Sequence, residues 1–474
     1  MQGTVKRFSD IHGYGFIIGE DGEDYFVHQS QIKMPGFRSL EKNENVTFEP
    51  KQTPKGNQAV NIVKLINAPY PSAASSPPPL VLRKNPFTPQ DPIKIPSKFA
   101  GRKNETIAAI RYLFFDGANI LIEGPRGIGK SSFAHQILQT QKGNNELLER
   151  HGIKLPHANK PKIACLYGCM MGDNLSDIAN GLIKALKFEL TGTILISEIT
   201  QTEKIILDGF EKSKDMKEKD LKLTEVANDF SLIVRKLCVD KNDISGIVFL
   251  IDEIDVLDKD ILLAPFFKSV CENFSRTSEF SFSFVLCGVT GTITRLIREH
   301  RSSSRLFQPI ALSQFIEEDI LELIEFSLNG SGVSMEQRAK NRIAYLSNRF
   351  PHPAQQLGYY AFNNCNGDLI LYDHVVQAQE HIVKAVKEQE FSSRWNKHKE
   401  TVQSQILQAI AKSDDTPFTV ASIKKILPTL SSDQILGGIS NLQKEEVIDR
   451  LSVGSNKYVL REPLYKIYLQ WIYQ

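Results

Sequence analysis

Apolar and polar residues alternate in short runs over residues 1–66, divided by glycine and asparagine turns, and this pattern predicts five β-strands. Residues two apart on a strand share a face, so Tyr14 and Phe16 point together, as do Phe26 and His28. The alternation stops at residues 67–98. Prolines at 69, 71, 77, 78, 79, 86, 89, 92 and 96 predict an extended, semi-rigid linker there. Beyond it the period changes. Ile107, Ile110 and Leu113 recur at helical spacing, Asn119–Glu123 is an apolar strand, and Phe133, Ala134, Ile137 and Leu138 return to helical spacing. Lys162–Tyr167 reads as a second strand. Residues 172–240 read as helices around a charged run, Glu211–Lys222, taken as a solvated turn. The continuous apolar runs Gly246–Asp252 and Phe280–Gly288 predict strands buried on both faces, as in a parallel sheet covered by helices.

The remaining chain is helical from 315 to about 389. Three further helices follow near 400–412, 420–427 and 432–446, then two strands at 447–451 and 457–460 about a Gly-Ser-Asn turn. Three helices and a hairpin predict a winged helix. Its third helix carries Asp433, Lys444, Glu445 and Glu446 and lacks the basic face that reads a major groove, so packing on the chain or contact with a partner protein stands beside DNA binding. The aromatic end, Pro463–Tyr473, is expected to be buried. The fold class is therefore multidomain: a five-stranded β-barrel (1–66), a linker (67–98), an α/β core (99–312), a helical lid (313–392) and a winged helix (398–474).

Composition narrows the partners. The 474 residues are 41% hydrophobic and 24% charged, values of a soluble globular protein too long for one core. A formal net charge of +2 excludes a broadly basic nucleic-acid scaffold, so nucleic-acid contact must be local and helped by stacking. Over residues 1–66, eight Lys and Arg stand against eight Asp and Glu. Cys165, Cys169, Cys238, Cys271, Cys287 and Cys365 sit mostly in apolar surroundings without zinc-ligand spacing, which suits buried thiols in a reducing compartment. No apolar run reaches membrane-span length and no signal peptide is visible, so a cytoplasmic protein without a membrane partner is expected.

The chemistry is concentrated after the first core strand. Gly124-Pro125-Arg126-Gly127-Ile128-Gly129-Lys130-Ser131 fits G-x-x-x-x-G-K-[ST], followed by Ser132. Side-chain-free turns let backbone N–H groups close on phosphates, and the following helix adds its positive end. Lys130 would neutralise the β and γ phosphates of ATP, and Ser131 would complete a magnesium shell. The strand Gly246–Asp252 ends beside this loop in two acids that are costly without a cation. Asp252 suits a water-mediated magnesium ligand, Glu253 the base that orients the attacking water, and Asp255 a cap for the next helix.

Two resemblances follow. Gly3–Phe8, His12–Ile17, Asp24–His28, Gly36–Leu40 and Lys55–Asn61 resemble the cold-shock domain, an OB-type barrel. The resemblance implies that Lys6, Arg7, Phe8, Tyr14, Phe16, Phe26, His28 and Phe37 bind single-stranded RNA or DNA. The chain departs from the family where Arg7 replaces the usual tryptophan, Gln29 an aromatic and His12 a lysine. Arg7 can still stack through its guanidinium, and a barrel that serves as a protein-binding module is the alternative.

The stretch Phe99–Glu105, about twenty residues before the phosphate loop, and the acidic strand end resemble AAA+ ATPases and the related STAND signalling ATPases. That likeness implies that Arg102 belongs to a segment closing over adenine, that Thr290 or Thr292 senses the γ-phosphate, and that Arg305 is a finger acting on a neighbouring subunit of a homo-oligomer. Arg349-Phe350-Pro351-His352 falls where a second sensor arginine is expected, and the arginine after the proline is absent. Arg349 or His352 would substitute, or the proline simply starts a helix. The function implied is an ATP-hydrolysing switch that responds to single-stranded nucleic acid. STAND-type proteins often serve in bacterial anti-phage defence, and a separate effector protein would carry the output. Two other readings stand beside it: a nucleotide-gated scaffold or transcription regulator with negligible turnover, and an AAA+ motor that remodels nucleic acid.

Overall fold

The computed structural model describes residues 1–9, 14–28, 31–33, 40, 43–53, 56–65, 83–115, 118–155, 161–191, 223–238, 245–258, 261, 263–275, 281–299, 301, 303–386, 401–413, 417–451 and 455–473. The charged run Glu211–Lys222, Phe37, His12 and Gln29 lie outside them.

Strands β1 (Gln2–Ser9), β2 (Tyr14–Gly19), β3 (Asp24–His28), β4 (Asn45–Thr53) and β5 (Gly56–Lys64) close a barrel in the order β1-β2-β3-β5-β4. Val5, Ile17, Val27, Val46 and Ile62 fill it, each fully buried. The pairing of β1 with β2 slips between Val5 and Arg7, so Val5 faces Ile17 whereas Arg7 faces Phe16. A bulge of this kind re-aims the residues after it, and here it leaves Lys6 and Arg7 both exposed. Gly15 must be glycine, because a Cβ there would meet the Arg7 carbonyl oxygen at 2.2 Å.

The central sheet has β6 (Asn119–Glu123), β7 (Ile163–Gly168), β8 (Gly246–Asp252), β9 (Ser281–Gly288) and β10 (Phe307–Ala311) in the order β10-β6-β9-β8-β7, with every pairing parallel. Successive side chains serve opposite faces. Leu121, Phe249, Ile251, Phe284 and Leu286 join one core, and Ile120, Ile122, Val248, Leu250 and Val285 join the other. Burying each such side chain is worth about 1.5–3 kcal/mol, which explains why these strands are written as unbroken apolar runs. Helices α1 (Lys103–Ile110), α2 (Lys130–Gln141) and α3 (Glu146–Arg150) contribute to the second core. Helices α4 (Leu175–Thr191), α5 (Leu223–Cys238) and α6 (Leu263–Ser275) pack on the first. Helices α7 (Thr292–Glu299) and α8 (Ser303–Leu306) connect β9 to β10.

The stretch expected as a helical lid holds α9 (Glu317–Leu328), α10 (Gln337–Leu346), α11 (Pro351–Asn364) and α12 (Tyr372–Val386). After it come α13 (Val402–Lys412), α14 (Val420–Ile426), α15 (Ser432–Lys444), the antiparallel pair β13 (Ile448–Arg450) and β14 (Tyr458–Leu460), and α16 (Leu464–Tyr473). Strands β11 and β12 are the two-residue parallel pair Ser334–Met335 and Leu369–Ile370. Lid and C-terminal unit are separate in sequence but share one hydrophobic core, which runs from Leu323 and Ile382 to Ile410, Leu442 and Leu469. The aromatic C-terminal stretch is buried within the chain around Tyr465, Ile467 and Leu469, whereas Trp471 is 40% exposed, against the expectation.

The linker expectation needs correction for residues 83–98. Phe87 is 1% exposed in the lid core and the Asn85 amide donates to the Tyr359 carbonyl at 2.8 Å, so this segment is fastened down. One buried aromatic outweighs the stiffness and solubility that its prolines suggest. All six cysteines carry free thiols, four of them buried. Among the described residues no helix is long and apolar enough to cross a membrane.

Candidate functional site

The phosphate loop leaves the carboxyl end of β6, one strand from the edge, and turns into α2. Gly127 and Gly129 sit at φ 71° and 93°, where a side chain is strained. A Cβ on Gly124 would meet the Ile128 side chain at 2.9 Å. Lys130 begins α2, and its ammonium donates to the carbonyls of Gly124 at 3.0 Å and Pro125 at 3.1 Å. Burial lowers its pKa, while the charges of Asp255 and Asp252 oppose the shift.

A cavity of about 690 Å³ opens over this loop. Its lining brings together Arg126 to Ser132, Asp252, Glu253, Asp255 and Arg102, so the residues expected to meet phosphate, metal and water share one space apart from Gly124 and Pro125, which are not in the lining. Ser131 and Asp252 bring hard oxygens to the same cavity as the Lys130 cation, a donor set that suits a magnesium ion shared with phosphate oxygens. Among the described residues no cluster of three or more His, Cys, Asp or Glu forms a self-sufficient metal cage. Glu253 adopts the left-handed conformation at φ 58°, uncommon for a residue with a Cβ, and its amide donates to Asp252 Oδ1 at 2.9 Å. Asp255 Oδ1 accepts from the Val289 amide at 3.2 Å, which ties it to the loop after β9.

Arg102 is buried, also at positive φ, and its guanidinium donates to the carbonyls of Ile128 at 2.9 Å and Ser313 at 2.6 Å. It stacks on Phe315 at 4.5 Å. Arg102 thus fixes the phosphate loop against the start of the lid, while Phe99, Ala100, Phe315 and Leu323 provide an apolar wall. From the lid, Pro351 and His352 line the cavity, and the His352 amide donates to the Gly127 carbonyl at 3.2 Å. Burial lowers the pKa of His352, favouring a neutral imidazole. Arg349 turns at φ 61° and is not among the lining residues.

Three expected residues lie elsewhere. Thr290 is half-buried after β9 but outside the cavity lining, and Thr292 spends its hydroxyl on the Val289 carbonyl at 2.7 Å. Arg305 is exposed on α8 and does not reach the cavity within one chain. Sequence reasoning missed the cavity wall made by Thr88 to Ile93, and it missed Glu123. The Glu123 carboxylate, buried at the end of β6, accepts the Ile293 amide at 2.7 Å, and burial raises its pKa against the backbone N–H groups of residues 291–293. An acid closing an apolar strand was the available signal.

On the barrel, the registers Tyr14 with His28 and Phe16 with Phe26 place four rings side by side on β2 and β3. Tyr14 and Phe16 each lie 5.8 Å from Phe26. The bulge lays the Arg7 guanidinium over Phe16 at 5.1 Å. Lys6 pairs with Asp24 at 2.7 Å, so part of its charge is already answered, and Phe8 is half-buried against the barrel core.

Residues 1–65 match the "Cold-shock" DNA-binding domain family. Cold shock protein 1 of Lactiplantibacillus plantarum is 52% identical over 61 residues, 13% of this chain and 92% of that protein. Cold shock-like protein CspC of Bacillus cereus is 49% identical over 65 residues, 14% of this chain and all of that protein. Among solved structures, a Walker-type ATPase of Pyrococcus abyssi aligns with 80% of this chain and 99% of its own, at a TM-score of 0.46 and 16% identity. The RuvB Holliday junction branch migration motor of Thermotoga maritima aligns with 77% of this chain and 94% of its own, at a TM-score of 0.37 and 16% identity.

Proposed function

Since the chain belongs to the cold-shock family through residues 1–65, we propose that it is an ATP-hydrolysing switch governed by single-stranded nucleic acid at that barrel. The observation that carries the reading is the single cavity lined by the phosphate loop, by Asp252 and Glu253, and by Pro351 and His352 of the lid. Loop amides and Lys130 hold the phosphates there, Ser131 and Asp252 hold magnesium, and Glu253 accepts the proton of the attacking water. Magnesium, when bound, neutralises charge developing on the phosphate oxygens. Arg102 sets the distance between loop and lid. His352 takes the place of the missing sensor arginine as a hydrogen-bonding group.

The finer parts of this proposal concern assembly and role. The engine is of AAA+ or STAND type, and the three helices and hairpin at 402–460 are a winged helix. Arg305, exposed and outside its own cavity, is offered to the nucleotide of a neighbouring copy in a homo-oligomer, and Thr290, just after the end of β9, is assigned the sensing of the γ-phosphate. Output passes to a separate effector, in keeping with an anti-phage role. The test is ATP turnover with and without single-stranded RNA or DNA. A scaffold would bind ATP without turnover, and a motor would turn over steadily.

A further inference from the structure

Residues 85–93 join two bodies that a hydrolysing site must hold in register. At the lid end, Asn85 donates to the Tyr359 carbonyl at 2.8 Å and to Asn363 Oδ1 at 2.9 Å, and it accepts from the Phe87 amide at 3.0 Å. The Phe87 ring lies so close to α11 that a Cβ on Gly358 would meet ring atoms at 2.3, 2.5 and 2.7 Å. The Thr88 amide donates at 3.0 Å to Gln355, itself buried and anchored by a 3.1 Å bond to the Ser327 hydroxyl. At the other end the partners change. The Ile93 amide donates to the Ser132 hydroxyl at 3.0 Å and its carbonyl accepts from Gln136 at 2.6 Å, both on α2 directly after the phosphate loop.

Between these anchors, Thr88 to Ile93 form one wall of the nucleotide cavity. The segment therefore spans lid and phosphate-loop helix and shapes the space between them. We propose that residues 85–93 are a positioning strap of the nucleotide site, with Asn85, Phe87 and Ile93 setting the closure of the lid over bound ATP. The inference rests on the nucleotide-binding reading of the cavity.

Three variants of the full chain, measured for binding of a non-hydrolysable ATP analogue with magnesium, test this. Gly358→Ala lies outside the cavity and displaces Phe87, and Asn85→Ala removes the lid anchor. Each should weaken binding by roughly 5-fold or more, the value of about one hydrogen bond or a modest packing loss. Adding Phe87→Leu to Gly358→Ala should restore affinity, a rescue that general destabilisation does not give. The analogue should also slow amide hydrogen exchange at Thr88 and Ile93. Unchanged affinity in both single variants, with exchange at the strap insensitive to the analogue, overturns the strap. A wild-type chain that binds no nucleotide overturns the reading beneath it instead.

Discussion

Glu123 accepts the backbone amide of Ile293 at 2.7 Å, which ties the end of the phosphate-loop strand to the first turn of the helix after β9. The carboxylate sits at a helix N-terminus, where negative charge is favoured, although burial raises its pKa. Replacing Glu123 with alanine strands buried N–H groups. Glu123→Ala should cost about 1–3 kcal/mol in chemical denaturation, and a midpoint unchanged from wild type would show the bond to be dispensable.

Glu253 sits at φ 58° beside Asp252, with its side chain lining the phosphate-loop cavity. Glu253→Gln keeps the shape and removes the base. Hydrolysis should fall by about 100-fold or more while ATP affinity stays near the wild-type value. Retained turnover in this variant would remove Glu253 from its assigned role.

The reach of the sequence differed between layers. The strands β6 and β8 were legible because doubly buried parallel strands are written as apolar runs, and the turns after β6 because Gly127 and Gly129 mark positive φ. The barrel strands were legible from their alternation. Arg7 on Phe16 was not, since a one-residue bulge between Val5 and Arg7 leaves no mark in the pattern. The strap was hidden for a different reason: its prolines suppress any period, and Phe87 alone signals burial. The core common to lid and C-terminal unit depends on long-range packing that local spacing does not encode.

Acid should destabilise the fold through its histidines. Burial lowers the pKa of His135, His352 and His374, and burial with the nearby Arg150 brings His151 down from 6.5 to about 4. Such a group binds fewer protons folded than unfolded, so its stabilising contribution is complete above 6.5 and is lost as pH falls toward 4. The melting temperature should therefore drop across that interval. His151→Gln should flatten the drop, and an identical profile would exclude His151 as a contributor.

The ring platform makes a prediction for the barrel. Tyr14→Ala and Phe26→Ala should each weaken single-stranded oligonucleotide binding by about 1–3 kcal/mol, measured by fluorescence anisotropy. Arg7→Ala should weaken it too, with the slope of log affinity against log salt falling by about 1 where the guanidinium meets a phosphate. Wild-type affinity in all three variants would assign the barrel to a protein partner.

The central claim links the cold-shock barrel to the nucleotide cavity, and ATP turnover by the purified full chain, with and without saturating single-stranded RNA or DNA, tests it most directly. The account predicts low basal turnover that rises with one of these ligands and loses that rise in Phe26→Ala. Equal rates with and without ligand, from a chain that binds both ATP and the oligonucleotide, would contradict it.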